Sequence, residues 1–253
     1  MPLGFCAWCV GSLSQEDVFK VRIAARSSRV FLWLLSLVTC LALHMPVHGQ
    51  NSESLILLDQ RARNGDPDSQ FDMAQLYRTG TFVEQNFNYA RRWYRIAANA
   101  GHAKSQYSLG LMAAYGQGGP KDESEAENWF LEAAKNGSVN AKFNLGQLYR
   151  TGFKGQVPDI QKSVFYFDQA ARKDHVNAQV NLAAHYAKLH GLHNMEAATF
   201  WYQVAMNNGY HQASFVIGYL KEKLPKESIL KIQKLVKTCT QIHFRRCYPI
   251  TSQ

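Results

Sequence analysis

His185, His190 and His193 are the residues whose type and spacing come nearest to metal chemistry. Neutral imidazole is a common zinc ligand, but a closed site needs four donors and an outer shell that orients them. No fourth donor is evident nearby. His185 also takes the place that Leu76, Met112 and Leu148 hold in parallel stretches, so it reads as a partly buried helix residue, with His190 and His193 in a loop. No Gly-rich phosphate loop, nucleophile elbow or HExxH helix is present. The reading predicts no catalytic residue, no metal and no cofactor.

Recognition chemistry is a better match. The string QLYRTG occurs twice, giving Gln75, Tyr77 and Arg78, then Gln147, Tyr149 and Arg150. A guanidinium beside a tyrosine suits capture of a peptide backbone or a carboxylate, so these six are the expected partner-binding residues. The competing reading has the tyrosines packing and the arginines covering helix ends. The aromatic pairs Trp93–Tyr94, Trp129–Phe130 and Trp201–Tyr202 resemble a sugar or base platform, but their fixed register with Ala-Ala marks them as core.

These residues sit in a repeating text. Gly65, Gly101, Gly137, Asp174 and Gly209 recur at spacings of 36, 36, 37 and 35 residues. After each comes a small residue (Ser69, Ser105, Ala141, Ala178, Ala213), and later an Ala or Gly (Ala74, Gly110, Gly146, Ala183, Gly218). Late in each of the first four units stands an aromatic pair. Both segments of a unit space their apolar residues as helices do. Small residues let two helix backbones approach, and aromatics of the paired helix fill the remaining space. Glycines after each segment stop the helices. A single hairpin cannot bury its face alone, whereas stacked hairpins can.

The segments FNLGQLYRTG (143–152), YSLGLMAAYGQG (107–118), AENWFLEAAKNG (126–137) and ARRWYRIAANAG (90–101) resemble the Sel-one-like repeat family, relatives of the tetratricopeptide repeats. The fourth unit departs from it, with HYAKLHGLHNM (185–195) in place of the usual loop. The resemblance implies an all-α, right-handed α-α solenoid of four to five helix hairpins used for protein–protein contact, its first helices lining the concave side. Cysteine-rich relatives are linked to β-lactam binding or hydrolysis, but the repeats here contain no cysteine, which argues against that activity.

The organisation expected is a leader over 1–49, a cap or linker over 50–64, four repeats over 65–208, and a degenerate repeat with a basic cap over 209–253. Val30–Leu43 is an uncharged apolar run preceded by Arg22, Arg26 and Arg29. That is the pattern of a secretory signal, with cleavage expected near Gly49–Gln50, and the run is short for a permanent span. An uncleaved anchor and a lipoprotein signal ending at Cys40 are the alternatives. In an exported chain, Cys239 and Cys247 read as a disulfide.

The net charge of +9 is concentrated beyond residue 220, where eight basic residues face two acidic ones. A basic tail of this kind is a solvated helix face or a contact for an anionic membrane, and the nearly neutral body argues against nucleic acid. The expectation is a periplasmic or secreted scaffold for a protein or peptide partner. An envelope enzyme or wall-polymer binder, and an effector engaging a host protein, are the alternatives.

Overall fold

The computed structural model describes residues 48–153 and 155–241. The expected leader core, 30–43, and Cys247 lie outside them. The chain divides into two units, Met1–Leu55 and Ile56–Gln253, and the repeats lie wholly in the second.

Among the described residues the secondary structure is helical, in eleven helices: α1 (His48–Arg63), α2 (Pro67–Thr79), α3 (Phe87–Asn99), α4 (Ala103–Tyr115), α5 (Glu123–Lys135), α6 (Val139–Thr151), α7 (Ile160–Ala171), α8 (Val176–Lys188), α9 (Leu192–Asn207), α10 (Ala213–Lys223) and α11 (Lys226–Gln241). Short polar residues start them. Asp66, Asn86, Asp122, Ser138 and Asp159 each accept a bond from a backbone N–H of the first turn, satisfying donors that the helix leaves unpaired. No described helix is long and apolar enough to cross a membrane.

The helices pair as hairpins, α2 with α3, α4 with α5, α6 with α7 and α8 with α9, and each hairpin packs on the next. The fold is an all-α solenoid. Its core is correspondingly a chain of apolar clusters: one around Tyr94 and Leu109, one around Phe130 and Leu145, one from Phe167 to Cys239.

Close approach explains the small residues. A Cβ added to Gly110 would lie 2.5 Å from the Phe130 ring, and one added to Gly146 2.6 Å from the Phe167 ring. The aromatic of the first helix then meets that of the second: Phe71 with Tyr94, Tyr107 with Phe130 and Phe143 with Phe167, at 5.6, 6.0 and 5.8 Å between ring centroids. Each buried ring is worth about 3–5 kcal/mol against truncation to alanine. Of each aromatic pair the second member, Tyr94, Phe130, Phe167 or Tyr202, is buried. Trp93, Trp129 and Tyr166 are only partly covered and pack against the flanking clusters.

A polar ladder runs through the stack that the sequence reading missed. Gln70, Gln106 and Gln179 are buried, and each donates its Nε2 at 3.0 Å to the carbonyl of Ala62, Ala98 or Ala171 at the end of the preceding helix. Asn136 completes Gln106 by donating to its Oε1 at 2.9 Å, and Asn208 does the same for Gln179 at 3.2 Å. At the matching place for Gln70 the chain has Ala100, and Gln70 Oε1 is buried with no partner among the described residues.

The backbone at Ala100 (φ −80°, ψ 6°) is nearly that of Asn136 (φ −82°, ψ 17°), so asparagine fits there without strain. Ala100→Asn is expected to stabilise the chain by about 1 kcal/mol by supplying the absent donor. Thermal unfolding checks this: the midpoint rises by about 2–4 °C in the native background, and the gain disappears when Gln70 is leucine.

Candidate functional site

The first helices of the first two repeats enclose a cleft of ≈ 320 Å³, lined by Gln75 and Arg78 of α2, Ser108, Leu111, Met112 and Tyr115 of α4, and Gln117 beyond it. Two of its walls, Gln75 and Arg78, were expected from the repeated string. The rest come from α4 and the turn after it, where the same string is absent.

The polar floor is braced. Gln75 Oε1 accepts from Arg78 Nε at 2.8 Å and from the Tyr94 hydroxyl at 2.6 Å. Burial pushes the Tyr94 phenol above its ordinary range, and neighbouring Arg78 and Ser108 pull it part of the way back. It therefore stays a neutral donor, and Gln75 is fixed with its oxygen towards Arg78. Arg78 is half-buried and forms no ion pair among the described residues. Its guanidinium stands beside an apolar wall of Leu111 and Met112. Tyr115, 73% exposed, stands at the rim.

The second copy of the string is used differently. Arg150 is exposed and donates its Nε to Gln147 Oε1 at 2.9 Å, repeating the Arg78–Gln75 bond. Tyr149 is only 7% exposed. Its ring stacks on Tyr166 at 5.6 Å, Lys162 lies 5.1 Å from its centroid, and its hydroxyl donates to Glu127. Burial first, then the Glu127 carboxylate, push its phenol far upward. Tyr77 packs on Tyr89 at 5.3 Å. The tyrosines thus serve packing, and the polar atoms on offer are those of Gln75, Arg78, Gln147 and Arg150.

His190 and His193 are exposed, and His185 is half-buried against the Tyr186 ring. No group of three or more His, Cys, Asp or Glu among the described residues is placed to hold a metal ion. Cys239 is buried and disulfide-bonded, while its expected partner lies outside the described residues.

The Sel1 repeat model matches residues 67–102, 103–138, 139–175 and 176–210. The chain belongs to the Sel1 repeat family. A Sel1 repeat protein from Oxalobacter formigenes is 26% identical, with a TM-score of 0.60 over 74% of this chain and 79% of its own. The c5321 protein, a protective antigen of uropathogenic Escherichia coli strains with an SLR fold, is also 26% identical. Its TM-score is 0.59 over 64% of this chain and 35% of its own, so this chain spans about a third of its length. No curated protein matches the chain. Sel1 repeat proteins generally mediate protein–protein interactions, and the repeat scaffold is typically non-catalytic.

Two partly buried histidines, one before α8 and one within it, make stability depend on pH. His175 precedes α8, stacks on Phe143 at 4.5 Å and accepts from the Ala178 N–H at 3.2 Å through Nδ1. Burial holds its imidazole below the ordinary value of 6.5, and burial and then Lys188 do the same for His185. The folded state therefore binds fewer protons than the unfolded one, and stability present above the unfolded value is lost as pH falls through it. The unfolding midpoint is expected to drop between about pH 7.5 and about pH 5. His175→Asn, which keeps the acceptor at the helix start, should flatten that slope.

Proposed function

We propose that this Sel1 repeat chain is an exported adaptor that holds a segment of a partner protein in the cleft between α2 and α4. The observation that carries the reading is Arg78: a guanidinium set by Gln75, without an acidic partner among the described residues, at the edge of an apolar wall. An extended peptide presents a carboxylate to Arg78, from an acidic side chain or its C-terminus, and lays an apolar side chain against Leu111 and Met112. Ser108 and Gln117 supply further bonds to its backbone. The chain performs no catalysis in this role.

The leader motif of residues 22–43 supports placement in the periplasm or outside the cell. The description of the Escherichia coli relative as a protective antigen supports the same placement. The lysines beyond residue 220 add a peripheral contact for an anionic membrane.

The docking reading is tested by fluorescence anisotropy with peptide pools carrying free or amidated C-termini. Arg78→Gln is expected to weaken binding by at least about tenfold, the value of a charge-assisted bond. Its circular dichroism should be unchanged. Equal binding by a folded Arg78→Gln chain removes the cleft from the proposal. Export is tested separately by mass spectrometry of the periplasmic and secreted fractions, where the expected chain starts at Gln50. A chain found only in the cytoplasm removes that part.

A further inference from the structure

Helix α10 carries the face of an upstream first helix with no partner seated on it among the described residues. Phe215 stands where Phe71, Tyr107 and Phe143 stand, and Gly218 stands where Gly110 and Gly146 lie beneath aromatic rings. A Cβ at Gly218 would meet nothing within 4 Å. Phe215 is 84% exposed and Tyr219 52%. Together with Gly218 they form one stripe at helical spacing.

The cause is in the last two helices. Upstream, the second helix of each pair packs on the first. Here α10 and α11 both pack on α9. In α11 the place of Tyr94, Phe130 and Phe167 goes to Ile232, which is buried in the shared core. The small residue is retained while the ring that would cover it is missing. The surroundings are cationic. Lys221 and Lys223 flank the stripe on either side of Glu222, which continues its spacing, Lys223 Nζ lies 4.4 Å from the Tyr219 ring centroid, and from Ala213 to Cys239 there are six lysines against two glutamates.

We infer that Phe215, Gly218 and Tyr219 form a docking face for an amphipathic helix of a partner protein, one that carries an aromatic residue among acidic ones. The aromatic seats over Gly218 as Phe130 seats over Gly110, and Lys221, Lys223 and Lys226 face the acidic residues. The geometry within the repeats specifies the shape of the occupant, and the lysines specify its charge. The partner helix thereby takes the place that the second helix of a hairpin holds upstream. This face is independent of the α2–α4 cleft.

The probe is a synthetic, side-chain-stapled peptide of Glu123–Lys135, an acidic helix that already seats its phenylalanine on a glycine in this fold. Calorimetric titration of the full chain is expected to show saturable 1:1 binding that weakens with salt. Gly218→Leu, which occupies the vacant space, and Phe215→Ala should each weaken it by about tenfold or more. Gly218→Leu replaces an exposed glycine inside a helix, so the variant should unfold at no lower temperature than the native chain. Arg78→Gln should bind the peptide as the native chain does, which separates this face from the cleft. Absence of saturable binding, or equal binding by Gly218→Leu, overturns the inference. Anionic phosphatidylserine vesicles that capture the chain through the same Phe215 and block the peptide also overturn it, in favour of a membrane contact.

Discussion

The seating of a phenyl ring directly on a helix backbone is the contact on which this molecule depends. At Gly110 and Gly146 there is no room for even a methyl group between the first helix and the ring of the second. That contact sets the distance between the two helices of a hairpin. It also places the first helix's own aromatic edge against the same ring. Because the rings are buried between consecutive hairpins, they tie each unit to the next as well as closing it. Regularity of the stack follows from repeating one steric fit, with the alanines Ala74 and Ala183 as slightly wider versions of it.

The glutamine ladder adds direction to this fit. Aromatic packing is tolerant of small slips, whereas a buried amide is not, because a misplaced one loses its bonds without recovering water. Gln106 and Gln179 each join the helix end before them to the asparagine of the helix that closes their own unit. The third unit has Lys142 at this place, and the first lacks the asparagine. Register is therefore held by a glutamine bond at three of the four junctions from α1 to α8, and by packing throughout.

How legible was this in the sequence? The period, the pairing of small with large residues and the all-α class could be read because each leaves the same residue types at the same places in several units. The ladder was not read, since a glutamine within a helix looks the same whether it faces water or a carbonyl. Tyr149 was grouped with Arg150 because they are adjacent in the chain, yet a helix turns neighbouring residues by about 100°, and the tyrosine faces the second helix while the arginine faces outward. The cleft itself combines Arg78 with Tyr115, which belong to different repeats, and the repeated motif is silent about what lies opposite it. The splitting of α10 from α11 was hidden for a similar reason: a missing aromatic in α11 shows that a ring is absent, but not where the helix goes instead.

That α10 and α11 both rest on α9 bears on how such a chain can change length over evolutionary time. An internal unit such as residues 103–138 presents to each neighbour the kind of surface that the neighbour already meets, so copying or deleting it within the gene leaves every junction of a familiar type. The pair α10 and α11 has no such freedom. Inserting a unit after α9 would displace the helices that seal its flank, and Ile232 and Val236 would lose their burial place. An added unit is thus accommodated more readily among the upstream hairpins than directly after α9.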